Sequence, residues 1–130
     1  MKVLLACDGE YHSYTEAVAN AIRVFRAEAE VALVDLGELE TEAERFDPQL
    51  VIVAGASIPP NPVDERLIAH IELSPESEQP SRFRVGERYW ESVNPTLGEI
   101  LPVVDETGVL YRESQERDPP TDTDDVDNGS

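Results

Sequence analysis

Cysteine is almost missing from this chain of 130 residues. Cys7 stands alone, so no disulfide can close within the chain, and a reducing compartment is expected. Lysine is as scarce: nine of the ten basic residues are arginine, and Lys2 is the exception. No apolar run approaches the ~20 residues of a membrane span, and the run at residues 3–7 is too short for a secretory leader. The expected location is cytoplasmic. Neither a G-x-x-x-x-G-K-[ST] nor a G-x-G-x-x-G pattern occurs, which removes the common phosphate-binding loops. Positive charge is deficient overall, with 28 acids against 10 bases and a formal charge of −18. Such a surface repels phosphate backbones and anionic lipid, so nucleic acid and membrane are not expected partners. The acidity reads as a solubility surface, or as adaptation to high salt, where screening removes the self-repulsion.

What is present suits one small domain, residues 1–111, and a tail. The stretch 112–130, RESQERDPPTDTDDVDNGS, holds seven acids and almost no apolar side chains. Nothing in it offsets the ~1–2 kcal/mol per residue that ordering a backbone costs, so it is expected to be disordered. Residues 3–7, 30–35 and 50–54 are near-continuous apolar runs, the mark of strands buried on both faces. Between them lie helical stripes. Tyr14, Val18, Ala21, Ile22 and Phe25 form one, opened by a Ser13-x-x-Glu16 capping box and ending near Ala27. Leu36, Leu39, Ala43 and Phe46 form the second, stopped by Asp47-Pro48. The order β-α-β-α-β implies parallel strands with right-handed crossovers, the start of a doubly wound α/β sheet.

The second half departs from that rhythm. Pro59, Pro60 and Pro62 argue against a crossover helix in residues 57–66. A strand at 67–73 alternates, with Leu67, Ala69, Ile71 and Leu73 on one side and Ile68, His70 and Glu72 on the other. Residues 82–85 and 88–93 flank Gly86-Glu87 and read as a β-hairpin with a type II′ turn. A last helix opens at a Thr96–Glu99 capping box, buries Leu97, Ile100, Leu101 and Val104, and is interrupted by Pro102. Gly108 is the expected stop. The fold class is therefore α/β, a mostly parallel, doubly wound, shortened sheet of the flavodoxin type. Its third and fourth helices are lost or replaced by loops and a hairpin.

Cys7, Asp8, Glu10 and His12 crowd into six positions. A nucleophilic cysteine needs a base held by a third group, whereas a thiol closing an apolar strand usually acts as a small hydrophobe. No catalytic residue is assigned. Only His12 and His70 are present as imidazoles, with no C-x-x-C or H-x-x-x-H spacing, so no transition-metal site is expected.

The chain resembles the receiver domain of two-component response regulators. KVLLACDGE looks like the receiver start K-I-L-I-V-D-D-E, and EVALVDLGELETEAERFDPQLVIVA looks like the strand, helix and strand leading to the phospho-acceptor. LSP at 73–75 resembles the L-[ST]-A switch position, and VNPTLGEILPVVDE resembles the last receiver helix and its entry. The resemblance implies a strand-end pocket built from Cys7, Asp8, Glu10, Ala54, Ser74 and Asn94. By position, Cys7 and Asp8 stand where receivers carry two acids that hold Mg²⁺. Ala54 stands at the acceptor aspartate and Asn94 at the phosphate-pairing lysine. Asp64, Glu65 and Ser57 do not replace the acceptor. With Asp8 and Glu10 as the remaining carboxylates, Mg²⁺ has little to hold it, and no cofactor is expected.

The expected function is a non-phosphorylatable, receiver-like module in signal transduction that acts by contact with a protein partner or with itself, and not as an enzyme. Ile68, His70, Phe83, Tyr89 and Trp90 are the candidate interaction surface, since aromatic side chains dominate interface energetics. The same rings would otherwise pack on the sheet where helices are missing. A flavodoxin-like site for a small molecule is the alternative, using Asp8, Glu10, Ser57, Ser74 and Asn94.

Overall fold

The computed structural model describes residues 1–54, 67–74, 79–93 and 95–117, with Glu10, Glu116 and Arg117 described by backbone only. Six strands form one sheet: β1 (Lys2–Cys7), β2 (Glu30–Asp35), β3 (Leu50–Ala54), β4 (Ala69–Leu73), β5 (Pro80–Val85) and β6 (Arg88–Val93). Three α-helices accompany them: α1 (His12–Phe25), α2 (Leu39–Phe46) and α3 (Leu97–Arg117). The strand order is β2-β1-β3-β4-β5-β6. The pairs β1–β2, β1–β3 and β3–β4 are parallel, while β4–β5 and β5–β6 are antiparallel. The protein is thus α/β with a mixed sheet, and the expectation of a mostly parallel sheet is corrected at its β5 end. The six residues between β4 and β5 and the two between β5 and β6 are both too few for the dozen or more that a parallel crossover takes.

Helices cover both faces. Val3, Leu5, Cys7, Leu50, Ile52, Ala69, Ile71, Phe83 and Val85 pack with Val18, Ala19 and Ile22 of α1 and Ile100, Val103 and Val104 of α3. On the other face Leu4, Ala6, Val51, Val53 and Leu67 pack with Leu39, Ala43 and Phe46 of α2. The runs that feed β1 and β3 are apolar at every position because both faces bury them.

Several local expectations are corrected. Ser13 does not cap α1: a 3₁₀ turn at Gly9–Tyr11 runs straight into the helix, and the Thr15 hydroxyl donates to Tyr11 O at 2.8 Å. The helix ends at Phe25, which is 58% exposed rather than part of the buried stripe. α3 passes through Pro102 and past Gly108, which lies against Met1, and continues to Arg117, beyond the expected domain boundary at 111. The Glu99 carboxylate accepts from the Thr96 N–H at 3.1 Å, the reciprocal half of the expected capping box. Gly86, at the first turn position, has φ +59°, the left-handed backbone that a type II′ turn requires. The proline segment at 57–66 and residues 118–130 lie outside the described residues, so the expectations placed on them do too.

Candidate functional site at the strand ends and on the hairpin

The register sets Cys7 beside Ala54 and Ala54 beside Leu73, with Asp35 on the other side of Cys7. Cys7 is 1% exposed and Ala54 is fully buried. Burial, foremost, and then the charges of Asp35 and Asp8 push the thiol pKa up, against a lowering contact from Thr15. Cys7 is a neutral thiol in the core, and among the described residues no hydrogen bond joins it to His12 or His70.

Asp8 follows Cys7 at the mouth of the sheet, and its carbonyl accepts from the Tyr11 N–H at 3.1 Å, which starts the turn into α1. The side chain of Glu10, all of Asn94, and Ser57, Asp64 and Glu65 lie outside what is described. Ser74 follows β4 directly, and its N–H donates to the Ser81 hydroxyl at 2.8 Å, tying the end of β4 to β5. Of the expected pocket, the structure brings together Cys7, Asp8, Ala54 and Ser74 at the strand ends. A hard cation takes oxygen ligands, and of these four side chains Asp8 alone is a carboxylate while Cys7 is a buried neutral thiol, so the described part of the set is a poor fit for Mg²⁺. Among the described residues no group of three His, Cys, Asp or Glu side chains could hold a metal. An open depression of about 220 Å³ lies nearby, lined by His12, Leu33, Val34, Asp35 and Glu38, and neither Asp8 nor Ser74 lines it.

The expected interaction surface is not one surface. Phe83 and Trp90 are cross-strand partners on the face that α1 and α3 cover, stacked with centroids 5.3 Å apart. Phe83 is fully buried. Tyr89 pairs with Arg84, and Arg84 with His70, on the opposite face. Ile68 sits before β4, its N–H donating to Gln49 O and its carbonyl accepting from the Gly86 N–H. Strand alternation separates what sequence proximity had grouped.

Counting along the same register shows which residues join His70 and Tyr89. One row runs His70, Arg84, Tyr89, and the next runs Glu72, Arg82, Glu91. His70 Nδ1 lies 3.9 Å from Glu72, and Arg82 lies 3.9 Å from Glu72 and 3.8 Å from Glu91. Tyr89 and Val93 remain 58% and 55% exposed. His70 is the exception in this row: its side chain is 14% exposed, and Nε2 is buried with no hydrogen-bond partner among the described residues. Burial, and secondarily the Arg84 charge, lowers its pKa to about 4. Arg82, Arg84, Glu91 and Val93 were not among the expected surface residues, although the Gly86-Glu87 turn already fixes their register, and Glu72 was placed only on the wetter side of its strand.

No protein-family model matches the chain, and comparisons with curated proteins and with solved structures find no match either. Among the described residues no helix is long and apolar enough to cross a membrane.

Proposed function

We propose that the chain is a receiver-like α/β module of the flavodoxin type that takes no part in phosphotransfer and acts through protein contact. The observation that carries this reading is the pair Cys7–Ala54. In open α/β sheets ligands bind beyond the carboxyl ends of the strands where the strand order turns, which here is between β1 and β3. The facing positions at that point are a buried thiol and a buried methyl group. Neither offers a carboxylate to take a phosphoryl group or to hold the metal that would steer one. The hairpin supports the contact role: Tyr89 and Val93 stand more than half exposed beside Arg82 and Glu91, on the face whose apolar cluster with α2 is built from β1 and β3 and includes no residue of β5 or β6.

Incubation with radiolabelled acetyl phosphate and Mg²⁺ tests the reading. No acid-stable or acid-labile label is expected on the chain. Stoichiometric labelling on an aspartate would refute it.

A further inference from the structure

The β5–β6 register decides which main-chain groups of β6 are already used. Val85 faces Arg88 across the two-residue turn, Phe83 faces Trp90, and Ser81 faces Ser92. The pair that closes such a turn exchanges both hydrogen bonds, and bonded pairs then alternate with unbonded ones. Arg88, Trp90 and Ser92 therefore direct their N–H and C=O groups to β5. Those of Tyr89, Glu91 and Val93 point away from the sheet. β6 is the last strand in the order, and among the described residues no hydrogen bond reaches these outward groups. The opposite edge differs, since Arg23 Nη2 donates to Val31 O of β2 at 3.3 Å. β6 has no proline and no break in its register, and its two charges, on Arg88 and Glu91, are of opposite sign. It lacks most devices by which edge strands refuse a partner.

We propose that β6 pairs antiparallel with β6 of a second copy of this chain, with Trp90 on the two-fold axis. This names the partner for the contact role proposed above, on residues away from the strand ends. Charge selects both the occupant and the register. With Trp90 on the axis, Arg88 comes opposite Ser92 of the second copy. The Ser92 hydroxyl donates to Glu99 at 2.6 Å, so each Arg88 guanidinium, already paired with Glu106 of its own chain, comes beside a second carboxylate, twice by symmetry. On the other face Tyr89 comes opposite Glu91, a carboxylate already approached by Arg82. Moving the axis to Glu91 sets two identical carboxylates face to face, and moving it to Tyr89 sets Glu87 against Glu91, both unfavourable. One-residue steps are excluded, because directly opposed residues must share a face of the sheet. In the chosen register Trp90 meets its copy at an unbonded pair, where side chains approach most closely.

The formal charge of −18 on each copy opposes association at low salt. The test therefore uses the full chain in about 1 M salt, where the screening length falls to ~3 Å. Sedimentation is followed over roughly 1 μM to 1 mM, the range in which modest affinities show. A monomer–dimer equilibrium is expected. Amide exchange at Tyr89 and Glu91 should slow as the dimer forms, while Val93, which this register leaves unpaired, stays fast. Glu91→Pro removes an outward N–H and none that serves β5, so it should abolish the dimer and keep the hairpin. A chain that stays monomeric throughout overturns the proposal. So does a dimer that survives Glu91→Pro, or one in which the Tyr89 and Glu91 amides exchange as in the monomer. If Glu91→Pro fails to fold, the exchange pattern of the unaltered chain decides. Phosphoryl labelling would overturn the strand-end reading and leave this result standing, so the two failures are distinguishable.

Discussion

Lowering the pH from 7 to 4 should destabilise the protein through His70. In the folded chain its pKa is about 4, against 6.5 for an unperturbed imidazole, because burial disfavours the charged ring and Arg84 adds to that. The groups facing it are Glu72 on its own strand, Arg84 on β5 and Val51 on β3, with Tyr89 beyond Arg84. The unfolded state binds the proton first, so the neutral ring contributes its full stability above pH 6.5. That contribution is lost as pH falls from 6.5 towards 4. Integrating the proton-binding difference gives about 2 kcal/mol lost at pH 5 and about 3 kcal/mol at pH 4. The 28 acids titrate over part of the same range, so the quantity to measure is a difference. Urea unfolding of the unaltered chain and of His70→Phe, which keeps a ring and removes the titration, should give curves that diverge by these amounts between pH 7 and 4. Only two histidines are present, so the His70 ring signal can be followed by NMR alongside. Parallel stability curves down to pH 5, or a His70 signal that titrates near 6.5, would refute the reasoning.

Two further predictions concern the scaffold. Phe83→Ala removes a fully buried ring that stacks on Trp90 beneath α3, and it should cost about 3–5 kcal/mol in chemical denaturation; a loss under about 1 kcal/mol would mean the hairpin is not packed as described. Asp47 closes α2 with φ 54°, a left-handed backbone that an L side chain pays for and glycine does not. Asp47→Gly should therefore leave stability unchanged or raise it by up to about 1 kcal/mol, read as an upward shift in Tm, and a clear fall would show that the Asp47 side chain holds the helix end.

Much of the sheet was legible in the residues, and the reason is physical. Runs such as VLLAC and LVIVA are apolar at every position, as strands covered on both faces require, so β1 and β3 fall where the runs are; β2 also falls on its run, but as an edge strand it is only half-buried rather than buried on both faces. The hairpin was legible because Gly86 marks a positive φ between two alternating runs. Helix starts were less so. Ser13-x-x-Glu16 fits the inside of a helix as well as a cap, and the 3₁₀ turn before it has no apolar period of its own. Gly108 looked like a stop by propensity, but Met1 lies against it and Leu110, just beyond it, packs against the core, so α3 runs through it. The aromatic surface failed for a different reason. Phe83, Tyr89 and Trp90 are close in sequence, yet a strand sends neighbours to opposite faces, so Tyr89 parts from the other two.

The hairpin also explains why one face of the sheet became polar. A parallel β4–β5 connection would return over the sheet as a helix and bury the face it crossed. Neither the six residues between β4 and β5 nor the two-residue reversal at Gly86-Glu87 is long enough to bring such cover. α3 supplies it on one side only, pinned to β6 by the Ser92–Glu99 bond and the Arg88–Glu106 ion pair. The uncovered side of β5 and β6 then had to tolerate water, and it carries Arg82, Arg84, Tyr89 and Glu91, while the α3 side keeps Phe83, Val85 and Trp90. His70 stands at the boundary between the two regimes, directly opposite the apolar Val51 on one neighbouring strand and Arg84 on the other. That position is why a titratable ring there is buried, neutral and sensitive to pH. The same substitution of a hairpin for a crossover leaves β6 as an unprotected edge, so the polar face and the open strand share one structural cause.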